Sequence, residues 1–499
     1  NRPDLLLHSP SNISVYRNNG NNTFTQILIE NGTGALYVSA AWVDMDNDND
    51  LRCEGNIPYG KTLRLELVEE VVATAVESAQ KEVSRTLRGG HDSTNPLLCA
   101  AQKISNNIVV INVLDDLFGE SSQFGIPKMS NLRKSYLYQN LLDLNKNLQE
   151  YNINLHAYKG KSDKIISEFC LQNTITHLIC PLEIAPEENQ IQQKVIQALP
   201  SNVQTTIIED GFLIPIQQSP KKLPDNFTKF RFMVEKNIPY PNENILSKKH
   251  NNCFISNKNF ILWENTINTQ FVVPPGETEA LKRLQFYWWE SDNIGVYKQT
   301  RNGLLGDFSS RLSAYLSLGN VSVQEVYRLN LNYEKERGTN ESTYWLFFEL
   351  LWRDFFRHTL LKRGNSMFYK RGFNKNNIPD LQIDEIKFKQ WKNAETEEAF
   401  VNAGMQELNA TGWLSNRSRQ IVASYLINNL KVDYRLGAAY FENALIDYDV
   451  CNNQGNWLYL SGYGNDPRGR RVFNMQIQQQ NYDPNKKYIN YWNNLKTSI

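Results

Sequence analysis

Apolar positions change their period along this chain, and the changes mark out its parts. Between about 85 and 212, short apolar runs alternate with helical stretches. NIVVINVLD (107–115) is short and rich in β-branched residues, which predicts a buried strand. A periodic segment follows, with Leu132, Tyr136, Leu137, Leu141, Leu142 and Leu148 at helical spacing. INLHAYKG, THLICP and VQTTIIED predict further strands separated by helices. Such alternation predicts a doubly wound, mostly parallel, Rossmann-like α/β domain over 85–212. It carries no GxGxxG or Walker loop, so no nucleotide phosphate site is indicated within it.

The flanking patterns differ. Residues 1–52 are rich in Asn and Gly, with short apolar runs, and read as strands and turns resembling one FG-GAP repeat. A single repeat cannot close a propeller, because each blade needs neighbours to bury its faces. Asp44, Asp46 and Asp48 could converge oxygens on calcium, but Asn49 stands where such a loop usually has glycine. A solvated acidic turn explains the run as well, so no metal is expected. Over 60–84, Leu65, Leu67, Val68, Val71, Val72 and Val76 predict an amphipathic helix within a helical connector, 53–84. A proline-bearing interdomain linker is expected over 213–275, packed across both neighbours. From 276 to 499 strands disappear, and helical segments rich in Trp, Tyr and Phe predict an all-α domain.

Composition narrows this picture. A chain of 499 residues is too long for one core. Lys and Arg total 53, as do Asp and Glu, which argues against a broad non-specific nucleic-acid coat but leaves a local basic groove open. The cysteines at 53, 99, 170, 180, 253 and 451 form no CxxC pair and are expected as reduced, buried thiols of an intracellular protein. No apolar run reaches membrane-span length, and the first residues lack a signal-peptide pattern.

Three polar clusters in the helical half could carry chemistry. Ser309, Ser310 and Ser313 sit at a helix start, where hydroxyls and free N–H groups can meet an anion; an ordinary Ser cap is the alternative. Glu349, Trp352, Arg353 and Phe356 share one helical face, fit either for a flat polar ligand or for core packing around an ion pair. Asn416, Arg417 and Arg419 open another helix, and Asp447 and Asp449 precede Trp457. Arg419 with Asp447 is the candidate pair, since charges in so apolar a neighbourhood need partners.

Read together, LPDNFTKFR (223–231), YKQTRNGLLG (297–306), ESTYWLFFELLWRDFFR (341–357), ATGWLSNRSRQIVASYL (410–426) and the 445–466 stretch resemble cryptochrome-DASH of the photolyase/cryptochrome superfamily. The resemblance runs from about 85 to 493. It implies an α/β antenna domain followed by a helical FAD-binding domain. Tyr297, Ser309, Ser310 and Ser313 would hold the diphosphate and ribityl side of FAD, with Arg311, Leu312 and Arg353 also in contact. Arg419 and Asp447 would pair near the isoalloxazine, Asp449 would meet its polar edge, and Asn453 would sit by N5. Glu349, Trp352, Trp413, Asn416 and Arg417 would line a cavity for a flipped pyrimidine dimer in DNA, preferably single-stranded. The implied reaction is light-driven electron transfer that splits the dimer, by a monomer with no membrane association. A flavin photoreceptor without repair activity is the rival, and a chain that binds no flavin is a third reading.

Some positions depart from the family pattern. The first, usually central, strand of the antenna domain is expected to be missing or supplied by an unrelated segment. Trp457 matches the flavin-proximal member of an electron relay, but Tyr434 stands at the middle position, and Trp391 matches a different tryptophan; slow photoreduction is the expectation. Asn402 and Gln406 replace a usual acid–base pair, and Ala314 replaces a proline. Glu183 matches a carboxylate that contacts a methenyltetrahydrofolate antenna, although a surface Glu at a helix start explains it nearly as well.

Overall fold

Parallel strands buried on both faces read as unbroken apolar runs, and Asn107–Asp115 is one: its first eight residues are buried. In the computed structural model this strand, β7, belongs to a five-stranded parallel sheet with β6 (Glu70–Val76), β8 (Asn154–Gly160), β9 (Ile175–Pro181) and β10 (Gln204–Ile208). The structure describes residues 95–238, 240–241, 270–373, 381–466 and 468–496, together with strand backbone at 5–9, 12–18, 24–30, 43–44, 51–52 and 70–76. The chain divides into two units, 1–68 and 69–499.

The sheet order is β10-β9-β6-β7-β8. Helices α1 (Pro96–Ile104), α2 (Asn131–Gln149), α3 (Ser162–Gln172) and α4 (Pro186–Ala198) alternate with the strands, as the periodicity predicts. The chain winds outward one way through β6, β7 and β8, then crosses back to add β9 and β10, which is the doubly wound arrangement.

The centre of the sheet corrects one expectation and meets another. Residues 70–76 form a strand, not part of a helix spanning 60–84, and this segment supplies the central strand, the second of the two alternatives expected. β6 runs parallel to both β7 and β9, in register from Glu70↔Asn107 to Val76↔Val113. The segment EVVATAV contains four β-branched residues, which suit a pleated sheet better than a helix. A slot with unpaired backbone on both sides then decides the outcome.

In the first unit, β1 (Leu5–Ser9), β2 (Asn12–Asn18) and β3 (Phe24–Glu30) form an antiparallel meander, and β4 (Val43–Asp44) pairs with β5 (Leu51–Arg52). The side chains of the acidic loop proposed for calcium lie outside the described residues, as do Cys53 and Cys253. The other four cysteines are free and buried.

The helical half is organised around α10 (Glu341–Arg363). Its start is fixed by a reciprocal cap, Asn340 accepting from the Thr343 N–H while Thr343 accepts from the Asn340 N–H. Four consecutive-turn polar residues of α10 are buried and turned to the linker. The Asp354 carboxylate accepts the N–H groups of Leu213 at 2.9 Å and Ile214 at 2.6 Å. Arg353 donates to the Gly211 carbonyl at 2.6 Å, and Arg357 to that of Asp210 at 3.4 Å. His358 Nε2 lies 3.1 Å from the Ile214 carbonyl, which assigns the ring proton to that nitrogen. Burial lowers the His358 pKa and raises that of Asp354. Beyond this, helix α5 (Phe227–Val234) stacks Phe227 on Trp352 with ring centroids 3.8 Å apart. Residues 210–214 and α5 therefore pack against α10.

Asp354→Ala removes one carboxylate and orphans two buried N–H groups, each costing about 1–3 kcal/mol. The expected loss is about 3 kcal/mol of unfolding free energy, measured by denaturant titration.

Candidate functional site

Helix ends converge on one cavity of about 290 Å³. Its walls come from α7 (Tyr297–Thr300), the loop into α8 (Leu312–Leu318), one face of α10, α13 (Asn416–Asn428), the end of α14 (Tyr434–Ala444) and the start of α15 (Val450–Ser461).

The serine loop is clamped from behind. Arg283 donates to the carbonyls of Ser309 at 2.6 Å and Ser310 at 3.0 Å and pairs with Asp307 at 2.5 Å. Arg311 takes φ +55°, a left-handed conformation that costs a non-glycine residue energy and recurs at functional sites. Its guanidinium donates to the carbonyls of Val272 and Gly306 and lies 5.5 Å from the Trp413 ring centroid. Ser309, Ser310, Ser313, Leu312 and Tyr297 all line the cavity.

Opposite stands the predicted ion pair. Arg419 donates to Asp447 Oδ2 at 2.7 Å and to the Leu414 carbonyl at 3.0 Å. Asp447 is fully buried as a side chain, yet its Oδ1 has no hydrogen-bond partner among the described residues. A buried carboxylate oxygen without a donor is costly; facing a cavity, it suits a ligand N–H or O–H. Asp449 caps α15, accepting from the Asn452 backbone and side chain, both at 2.8 Å, with Arg357 3.7 Å from its other oxygen. Asn453 donates to the Ala438 carbonyl at 3.1 Å.

At the other wall, Glu349 binds Arg301 at 2.6 Å and Trp345 Nε1 at 3.2 Å. Burial outweighs Arg301 and raises the Glu349 pKa. Arg353, Trp413 and Asn416 join the lining. Arg301 and Gln420 also line the cavity and were missed in the sequence; the spacing of Tyr297 and Arg301, one helical turn apart, was the available signal. Two predicted residues turn elsewhere. Trp352 is half-buried against Phe227, Phe356 and Tyr459, and Arg417 stacks 4.5 Å from the Tyr482 ring centroid while binding Gln420.

Trp457 reaches the cavity with its ring against Gly437, where a Cβ would lie 2.2 Å from the indole. Its aromatic neighbours are Phe441 at 5.1 Å and Trp391 at 6.4 Å between centroids. Tyr434 is buried, pairs with the Tyr463 ring at 5.7 Å, and donates its hydroxyl to the Tyr369 carbonyl at 2.9 Å. The substituted loop before α12 (Ala399–Thr411) is closed by Asn402, which accepts from the backbone and hydroxyl of Thr396 and donates to its carbonyl. Ala314 is fully buried in the core.

Glu183 is buried beside a cavity of about 90 Å³, with Arg357 and Asp449 also in its lining. An adjoining cavity of about 420 Å³ lies between α4 and the helical half, bounded by Glu188, Lys128, Phe368, Tyr369, Arg435 and Glu442 among others.

Comparison with known proteins agrees with this architecture. Residues 91–244 match the family model "DNA photolyase", residues 345–496 match "FAD binding domain of DNA photolyase", and residues 1–51 match "FG-GAP-like repeat". The fold is that of the photolyase/cryptochrome superfamily, and the helical half is its FAD-binding domain. The similarity narrows further. Cryptochrome DASH of Synechocystis is 37% identical over 75% of this chain and 79% of its own length, and that of Xenopus laevis 36% over 81% and 80%. The Synechocystis cryptochrome crystal structure superposes with a TM-score of 0.75 at 34% identity, covering 86% of this chain and 89% of that one. The chain belongs to the cryptochrome-DASH family.

Buried Glu407 and half-buried Glu188 and Glu442 give the folded chain a pH signature. Burial pushes Glu188 up to about 8 and Glu407 and Glu442 to about 7. A carboxyl whose pKa is raised on folding favours the folded state while protonated, and that contribution is lost as pH rises through the folded value. Stability should therefore decline between about pH 4.5 and 8. Glu188→Gln should flatten the upper part of that decline in unfolding titrations at a series of pH values.

Proposed function

We propose that this chain is a blue-light, FAD-dependent photolyase-like enzyme that splits cyclobutane pyrimidine dimers in DNA. The observation that carries the reading is the meeting of the Arg419–Asp447 pair and Glu349 in one cavity, with Asp447 Oδ1 still needing a donor. The donor set fits FAD: serine hydroxyls for the diphosphate side, a guanidinium–carboxylate pair and a capped Asp449 for the ring's polar edge, and Asn453 for N5. Bound FAD supplies light absorption and one-electron chemistry.

The chain's own residues do the rest. Arg419 binds Asp447 Oδ2 and so fixes the orientation of its carboxylate. Glu349 gives up Arg301 or shares it, and accepts hydrogen bonds from a base edge. Arg301, Asn416 and Trp413 line the space around the lesion. One electron passed to the dimer breaks its cyclobutane bonds, and the electron then returns. A stacked base cannot enter a cavity, so single-stranded or flipped-out lesions are preferred.

The test is illumination of chemically reduced protein with a single-stranded oligonucleotide containing a thymine dimer. Recovery of intact thymines is expected. No recovery by FAD-loaded protein would overturn the enzyme reading in favour of a flavin photoreceptor. Glu349→Ala should cut the repair rate about tenfold or more while retaining FAD, as loss of a charge-assisted hydrogen bond implies. Asp447→Ala should purify without flavin absorbance.

A further inference from the structure

The aromatic side chains beyond Trp457 do not follow the path that position 434 would continue. We propose that electrons reach the flavin site through Tyr440, Trp391 and Trp457, with Tyr440 as the solvent-side terminus. This deepens the flavin photochemistry of the same cavity and does not depend on repair.

The geometry is continuous. Trp457 lines the cavity, Trp391 lies 6.4 Å from it between centroids, and Tyr440 lies 5.9 Å from Trp391, both contacts edge-on. Electron tunnelling falls steeply with distance, so hops between rings in contact are favoured. Trp391 is fully buried, and its Nε1–H donates to the Val422 carbonyl at 2.9 Å. A carbonyl is no base, so an oxidised Trp391 keeps its proton, stays a strong oxidant and draws an electron from Tyr440.

Tyr440 is built for that terminal role and Tyr434 is not. The Tyr440 hydroxyl donates to Asn409 Oδ1, and Asn409 is exposed on α12. The Lys392 ammonium lies 5.6 Å from the Tyr440 centroid, which disfavours a positive charge on the ring. Oxidation of Tyr440 must therefore release the phenolic proton, and water at Asn409 can take it. Tyr434, fully buried with its hydroxyl on a backbone carbonyl, has no such acceptor.

The steps balance. Trp457 gives one electron to the photoexcited flavin and takes one from Trp391. Trp391 takes one from Tyr440, which loses a proton to water and becomes a neutral radical. A soluble thiol restores Tyr440 with one electron and one proton.

The test is flash photolysis of the FAD-loaded chain without DNA, read by transient absorption and by electron paramagnetic resonance, with dithiothreitol as the thiol. A tyrosyl radical is expected in the parent chain and in Tyr434→Phe, and is lost in Tyr440→Phe. Steady-state photoreduction should lose most of its rate in Trp391→Phe. If Trp391→Phe fails to fold, Tyr440→Phe decides, being at the cluster's edge. A tyrosyl signal that survives Tyr440→Phe but vanishes in Tyr434→Phe overturns the route, as does a parent chain that forms no tyrosyl radical. Repair by chemically reduced protein needs no relay, so failure there would sink the repair reading alone.

Discussion

Asp354 carries the constraint on which the rest of the helical half depends. Its carboxylate is removed from water, and two linker N–H groups are what make that burial tolerable. Arg353, Arg357 and His358 repeat the arrangement with linker carbonyls, so one side of α10 is stitched to residues 210–214. Because the linker follows β10, those bonds set where α10 lies relative to the sheet. The neighbouring face of α10 then presents Glu349 and Arg353 to the cavity.

The cavity obeys the same rule in reverse. On the linker side both Asp354 oxygens accept backbone N–H groups, and Arg353 and His358 meet backbone carbonyls. On the cavity side, Asp447 Oδ1 and the Trp413 indole N–H are left without one among the described residues. Both residues line the cavity where several helix ends meet. Strain at Arg311 belongs to the same economy: a left-handed arginine persists because Arg283 and the Gly306 and Val272 carbonyls hold the loop around it.

Tyr434 and Trp391 occupy different surroundings in the fold. As a substituted relay member, Tyr434 suggested slow photoreduction. Its ring lies with Tyr463, whereas Trp391, 66 positions before Trp457, contacts it directly. Gly437 makes the approach of Trp457 to α14 close enough for that aromatic cluster to form. Asn402 and Gln406 replace a charge pair together, which leaves no orphan charge, and the Asn402 amide closes the loop onto Thr396.

By itself the sequence determined the local elements whose residues leave little choice: the β-branched run at 107–115, the long amphipathic helix after it, and the capped, aromatic helix at 341–363. It also determined which residues could form the Arg419–Asp447 pair and the serine loop, because several long motifs stand in family order. Only the tertiary structure decided the fate of 70–76. Those residues satisfy a helical stripe as well as a strand, and the vacancy between β7 and β9 is a property of distant segments. The same holds for Trp352, which shares a helical face with Glu349 yet packs on Phe227. Periodicity states which side chains lie on one face; what that face meets is settled by packing across 124 residues of intervening chain.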